Sequence, residues 1–458
     1  MSAVARRDRA ERSGSASLGE GTGGAKGGAS LARTASSRLH HKPSVAPARQ
    51  HRTAPPDAGG NRSRAAAELP GTGALKLFWT FLLFGVSAFG TAMLQTLRSG
   101  SVERGWLSQQ EIDEAMGVVQ LYPGAVGVDL AAFIGYRLKR TRGALVATAG
   151  LLAPSLILVL VGSWAYFTYG ARPEVRDIVV GLDALVVGVL VSVTVELAAE
   201  HAHAKLPAVI ALGAFALGVG GFNVLWAVLG AFVLGALALR GPGHQEPARG
   251  AASQPLSLRR LALVVLPGLV VVAGAATAAV APGKLAGVTA EMAKVGSIAF
   301  GNGTVILPVL QQDAVGHHWV TLSQFGTGIA LGQVTPGPVL TTAAFVGFAA
   351  AGWWGGVAAG VAVFAPSVAL TVVAGEVYPY LRGLSWVRGA IAGVLASFTG
   401  LLASMALVLA RPLLTVPAAV GLAAAAFVSV RVLRLNTLVV FVAGLAIWGL
   451  YLVAGGQP

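Results

Sequence analysis

The sequence contains no cysteine, which excludes disulfides, thiolate metal sites, iron–sulfur clusters and thiol redox chemistry. Charge is scarce too. Asp, Glu, Lys and Arg make up 11% of the 458 residues, against roughly 25% in a soluble globular chain. A water-soluble enzyme of this length is a poor fit to that scarcity. What the chain has instead is apolar residues, 55% of the total, with a mean hydropathy of +0.71. Long apolar stretches recur from about residue 75 onward, as expected of an all-α polytopic membrane protein. At about 20 residues per span the length allows about 12 to 14 spans. A β-barrel needs alternating polar and apolar residues, and runs such as 143–168 and 261–281 do not alternate.

The few charges are unevenly placed. Residues 1–73 hold 12 Lys/Arg and 5 Asp/Glu, which supplies half of the net +14. Rich in Ser, Gly, Ala, Pro and Arg, this stretch lacks the apolar surface to order itself and reads as a disordered basic tail. No signal-peptide core is expected before residue 75. Asp8, Glu11 and Glu20 weaken a transit-peptide reading, and contact with anionic lipid explains the basic residues better. Nucleic acid is not an expected partner.

Periodicity and length predict thirteen helices. Six lie at 75–97, 117–136, 143–168, 178–197, 205–219 and 223–239. Seven more follow at 261–281, 287–310, 327–347, 354–375, 387–409, 412–430 and 436–454. Pro242, Pro247 and Pro255 break any helix in the linker 240–260. The expected organisation is a tail (1–73), a first repeat (74–240), a polar linker plus connecting transmembrane helix (241–284) and a second repeat (285–455).

The repeat is the strongest signal in the chain, with a period of about 212 residues. Gly85-Val-Ser-Ala-Phe89-Gly90 returns as Gly296-Ser-Ile-Ala-Phe300-Gly301, and Trp106-Leu-Ser108 as Trp319-Val-Thr-Leu-Ser323. Gln120-Leu-Tyr-Pro123-Gly124 returns as Gln333-Val-Thr-Pro336-Gly337. Phe133-Ile-Gly135-Tyr136 matches Phe345-Val-Gly347-Phe348, Ala153-Pro154-Ser155 matches Ala365-Pro366-Ser367, and Asn223 matches Asn436. Ser108-Gln-Gln-Glu111 and Thr321-Leu-Ser-Gln324 each have capping-box spacing, so a helix should start at each and run into Gln120 and Gln333.

Charge asymmetry gives an orientation. The loop 137–142 carries Arg137, Lys139, Arg140 and Arg142, while its partner 348–353 carries no charge. Conversely, Arg431 and Arg434 precede the last helix, while 219–223 is neutral. Positively charged loops stay cytoplasmic, so equivalent loops of the two halves should face opposite sides. The expected architecture is two inverted repeats joined by a connecting helix, as in many secondary transporters. Loops 137–142, 240–260 and 431–434 are then cytoplasmic with the N-terminus, and the C-terminus lies outside.

In each half a Gly-rich break, Phe89-Gly90-Thr91 or Phe300-Gly301-Asn302-Gly303, precedes a Gln-x-x-Pro-Gly element. Pro removes an amide donor and Gly loosens the helix, so the chain can unwind at membrane depth and restart. A restarted helix aims free N–H groups and a positive dipole end at what lies ahead, which suits an anion. The expected anion-binding residues are Gly90, Gln120, Pro123 and Gly124 in the first half. Gly301, Gly303, Gln333, Pro336, Gly337 and Pro338 are their second-half counterparts. Arg98, Arg104 and Arg137 flank the first motif and could funnel an anion inward. Gly and Pro also permit close packing and kinks, the simpler reading for Gly352, Gly356 and Gly360. Carboxylates inside apolar spans are functional suspects. Asp129 and Asp183 are the expected proton-coupling groups, although Asp183 fits an interface and Glu196 a helix end equally well. His201-Ala-His203 and His317-His318 lack carboxylates at ligand spacing, and no enzyme motif occurs. Neither metal nor cofactor is expected.

With these motifs in place, the sequence resembles the chromate ion transporter family in its long form with two homologous halves, over about residues 75–455. The Phe-Gly breaks, Trp106-Leu107-Ser108, Gln120-x-x-Pro123-Gly124, Phe133-Ile-Gly135-Tyr136-Arg137, Ala153-Pro154-Ser155 and Gln333-Val-Thr-Pro336-Gly337-Pro338 carry the resemblance. It implies export of chromate, a tetrahedral dianion, across the inner membrane using the proton motive force, with sulfate as the alternative oxyanion. The partners implied are the oxyanion, the proton gradient and the lipid bilayer; a homo-oligomer stays open. The alternative of another class is a membrane-embedded enzyme or a scaffold that transports nothing.

Overall fold

The computed structural model describes residues 73–87, 92–120, 122–170, 172–202, 204–239, 283–300, 303–372 and 385–457. The basic tail, the linker, the connecting helix expected at 261–281, and the break residues Gly90 and Gly301 lie outside them. Among the described residues every regular element is helical, with no strand. The first half contains α1 (Ala74–Ser87), α2 (Ala92–Glu103), α3 (Gln109–Val119), α4 (Val126–Tyr169), α5 (Pro173–His201), α6 (Lys205–Val219) and α7 (Val224–Ala238). The second contains α8 (Lys284–Ser297), α9 (Leu307–Gly316), α10 (Leu322–Val334), α11 (Thr342–Ala362), α12 (Ser385–Ala410), α13 (Pro417–Arg431) and α14 (Thr437–Val453). A further helical stretch occupies 365–372.

Local chemistry sets the starts. Ser108 and Glu111 close a capping box on α3, with the Ser108 amide 2.9 Å from the Glu111 carboxylate. Thr321 and Gln324 do the same on α10 at 2.8 Å. Asn223 and Asn436 accept from the amides two residues on, at 2.9 Å each, and so start α7 and α14. Each such cap is worth about 1 kcal/mol.

α4 is not straight. Lys139 (φ −144°, ψ 31°) and Arg140 (φ 54°, ψ −148°) leave the helical region, and Gly135 and Gly143 pack backbone to backbone across the bend. The chain turns there into a helical hairpin. α11 repeats the device at Ala351 (φ −146°, ψ 28°) and Gly352 (φ 64°, ψ −154°), with Gly347 against Gly355. Of the expected uses of glycine, close packing and kinks, Gly352 serves the kink. A methyl placed there would meet nothing within 4 Å, so the turn's backbone angle is what uses the glycine. Gly356 does pack, against Leu160, and Gly360 against Leu156.

Among the described residues, four segments are long and apolar enough to cross a membrane: Val126–Tyr169, Val175–His201, Val339–Val372 and Trp386–Thr415. Shorter apolar helices such as α6 and α7, 15 residues each, reach only about 23 Å against a hydrocarbon core of about 30 Å. The helix expected at 287–310 is not continuous, for α8 stops at Ser297 with Ile298 as its C-cap, while residues 88–91 of the one expected at 75–97 lie outside the described residues. The two halves also pack across one another. α5 lies against α13 and α14 of the second half, and α12 against α6 and α7 of the first. Gly188 on α5 abuts the Ala423 carbonyl, and its counterpart Gly400 on α12 abuts the Ala211 carbonyl. The contacts are reciprocal, and glycine permits the closest of them.

Candidate functional site

The two Pro-Gly breaks are equivalent in sequence but not in surroundings. In the first, α3 ends at Gln120, an exposed C-cap. Pro123 is half-buried and Gly124 buried. Asp129, in the first turn of α4, is completely buried, and neither of its oxygens meets hydrogen-bond geometry. Its carboxylate presses on Gly124, with Ser367 as a polar neighbour. Tyr122 shares a 2.6 Å hydrogen bond with Thr371. The 365–372 stretch of the second half therefore packs over the first break.

In the second, α10 ends at Val334 and the chain runs through Thr335, Pro336, Gly337 and Pro338 before a 3-10 turn at Val339–Thr341 starts α11. Gly337 sits at φ +130°, and a methyl there would come within 2.9 Å of Ser155. Glycine is required on both counts. Gly124 against Ser367 and Gly337 against Ser155 are the same contact made reciprocally between the halves. Gly303, at φ +65°, lies beside Leu340, which a methyl added to it would meet at 3.5 Å. Thr341 occupies the position of Asp129, and its hydroxyl donates to the Pro338 carbonyl at 2.9 Å. The buried carboxylate belongs to one half only.

A cavity of about 590 Å³ opens at the second break. Gln333, Thr335, Gly337, Pro338 and Val339 form one wall. Ser192 and Glu196 of α5 face it, and Arg431, Arg434, Asn436 and Thr437 complete it. Val339 is in the first turn of the restarted helix, where amides have no carbonyl one turn earlier. Free amides, a neutral carboxamide, hydroxyls and two guanidinium groups suit an oxygen-rich anion.

The remaining expected residues lie elsewhere. Arg98 is ion-paired with Asp113, and Arg137 with Glu111 at 2.7 Å, both partners on α3. Arg104 lies over Phe84, 4.9 Å from the ring centroid, and donates to the Gly100 carbonyl. Asp183 accepts from Ser323 at 3.0 Å and seats its other oxygen against Gly326, at the α5–α10 contact. The structure brings Gln333, Gly337, Pro338 and Glu196 to one cavity and leaves Arg98, Arg137, Gln120, Asp129 and Asp183 off its lining. Sequence reasoning treated Arg431 and Arg434 only as orientation signals and missed Thr335, Ser192 and Thr304, which also line it. One signal was available, for the period sets Arg434 opposite Gly221.

The family model for the chromate transporter matches residues 75–236 and again residues 286–450. The chain belongs to the chromate transporter family. The chromate transport protein of Pseudomonas aeruginosa is 29% identical over 392 residues, 81% of this chain and 91% of that protein. The chromate transport protein of Cupriavidus metallidurans is 28% identical over 354 residues, 75% of this chain and 84% of that one. A probable chromate transport protein of Synechococcus elongatus is 26% identical over 338 residues, 72% and 83% of the two chains. No solved structure matches. Relatives named for transport, together with the long apolar helices, make this family member a multi-pass membrane transporter rather than an enzyme.

Proposed function

We propose that this chromate transporter family member exports chromate from the cytoplasm across the cell's inner membrane, driven by the proton motive force. One observation carries the reading. The second break, through Gln333, Thr335, Gly337 and Pro338, shares a single cavity with Arg431 and Arg434. A dianion with four oxygens can take hydrogen bonds from amides and guanidinium groups at once, without a lysine buried at membrane depth.

Direction follows from charge. Positively charged loops stay cytoplasmic, so the cavity edged by Arg431 and Arg434 opens inward, where an exported anion loads. On the same rule the N-terminus is cytoplasmic, the C-terminus is outside, and the halves are inverted repeats. Reciprocal contacts of Gly124 with Ser367 and Gly337 with Ser155 support a two-fold relation between them. One break stands open on a cavity while the other is packed over, as alternating access requires of one state. Asp129 and Asp183, carboxylates with no counterpart in the second half, are the proton-coupling groups of this reading; Thr341 and Leu395 stand in their places.

The test is flux of labelled chromate in everted membrane vesicles, with and without an uncoupler. Uptake into the vesicles that collapses with the uncoupler is the expected result. Uptake indifferent to the uncoupler removes the proton coupling, and no uptake above empty vesicles removes chromate export altogether.

A further inference from the structure

Among the described residues, three non-glycine residues have positive φ: Arg140 (54°), His318 (57°) and Arg434 (54°). The repeat supplies an internal control for each. The duplicate positions hold Gly352 (64°), Gly105 (65°) and Gly221 (73°), each also at positive φ. Glycine is the default residue there, because a Cβ is costly in left-handed backbone. A side chain held against that cost is a pointer to function. Of these three side chains, Arg434 lines the cavity at the second break.

A second observation is independent of the backbone. Arg98 and Arg137 are each paired with a carboxylate, whereas neither Arg431 nor Arg434 has an ion-pair partner among the described residues. Both are exposed and reachable from water. Glu196 is the acidic residue on the same lining, so two guanidinium groups face one carboxylate and a positive charge is left over. The duplicate half has no such wall, with Gly221 in place of Arg434 and Val408 in place of Glu196.

We propose that Arg434 is a specificity-determining anion contact. Its planar fork of donors, beside Arg431, captures the tetrahedral oxyanion at the cavity mouth and passes it to Gln333 and the Gly337 backbone. Glu196 partly offsets the capture, and the positive charge left over attracts a dianion more strongly than a singly charged anion. This assignment rests on the oxyanion reading of the cavity and names the side chain that selects for charge.

The decisive variant is Arg434→Gly, which installs the residue the duplicate turn already uses. Purified full-length protein in detergent is titrated with labelled chromate, and thermal unfolding is recorded on the same sample. The expected result is an unfolding midpoint equal to or above wild type, with chromate affinity weakened at least tenfold, about 1.4 kcal/mol. The variant's affinity should also respond less to added salt. Arg434→Asn, which tolerates positive φ without charge, is the second neutral variant, and Arg434→Lys should fall between it and wild type. Glu196→Gln should tighten chromate binding, and tighten binding of the singly charged competitor chloride by less. Wild-type chromate affinity in either folded neutral variant overturns the proposal. Gln333→Ala, run alongside, separates the two levels. If it weakens binding and Arg434→Gly does not, the cavity stands and the arginine's role falls. If neither weakens binding, the oxyanion reading itself falls.

Discussion

Arg140 and Gly352 hold nearly the same backbone conformation, φ 54° and ψ −148° against φ 64° and ψ −154°. Each turns one helical hairpin, and each hairpin closes on a pair of glycines. One half thus accepts a side chain where the other uses none, at a cost of about 1–3 kcal/mol for an L-residue in this sparsely populated region. Arg140→Gly should accordingly raise stability by about 1 kcal/mol, and Gly352→Ala should lower it by about 1–2 kcal/mol. The second change is conformational only, since its methyl would meet nothing within 4 Å. Chemical unfolding of the two variants in detergent checks both signs; a destabilised Arg140→Gly would show that the guanidinium holds the turn together.

Gln333 lines the cavity while Gln120 is an exposed cap outside it. Losing a hydrogen bond to a charged group costs about 1.5–3 kcal/mol, so Gln333→Ala should weaken apparent chromate affinity roughly tenfold or more. Gln120→Ala should weaken it much less. Gly213→Ala is a suitable control, because its added methyl meets nothing within 4 Å. Gly356→Ala is not, because its methyl would overlap the end of Leu160. Equal effects of the two glutamine variants would refute the unequal roles of the breaks.

Asp129→Asn keeps the shape of a side chain locked against Gly124 and removes its capacity to shuttle a proton. Gradient-driven chromate flux should be lost while chromate–chromate exchange continues. Asp183→Asn should act in the same sense, with Ser323 still able to donate to the amide oxygen. Wild-type gradient-driven flux in both variants would make these carboxylates packing residues.

Topology gives a test free of substrate. A green fluorescent protein fused to the N-terminus should glow and one fused to the C-terminus should stay dark. With no native cysteine to compete, Arg140→Cys and Ala351→Cys should label from opposite faces of the membrane. Labelling from one face would rule out inversion.

Glu111 supplies a pH dependence with a definite sign. The Ser108 amide, and after it the Arg137 guanidinium, hold the Glu111 carboxyl below its usual range. Its contribution to stability is therefore fully present above the ordinary carboxylate pKa and fades as pH falls through the lowered value. The effect is small, because the side chain is more than a third exposed and its charge is screened by solvent. Glu111→Gln should flatten that acid limb of the stability profile and leave neutral-pH transport nearly unchanged.

The duplication, the capping boxes and the Pro-Gly breaks were legible because each is local: Ser108 to Glu111, Thr321 to Gln324 and Pro336 to Gly337 are spacings along the chain. The end of α8 at Ser297 was legible through the Gly-rich break Phe300-Gly301-Asn302-Gly303 that follows it. Hydropathy alone does not register it, because apolar residues continue across it. The cavity was legible on one wall only. Arg434 and Glu196 lie about 240 residues apart in sequence and share a cavity through the packing of α5 against α13 and α14, which no spacing encodes. The pairing of Arg98 with Asp113 and of Arg137 with Glu111 was equally invisible, since each joins two separate helices and neither follows a spacing within one.

The cross-packing of α5 with α13 and of α12 with α6 bears on how the protein is made. When the ribosome has finished the first half, the face of α5 that carries Gly188 still has no neighbour, because Ala423 has yet to be synthesised. That helix must wait in the bilayer, or in the insertion machinery, until nearly the whole chain has emerged. Neither half is a self-sufficient unit, so a gene divided within residues 240–260 should yield two pieces that survive proteolysis only when produced together.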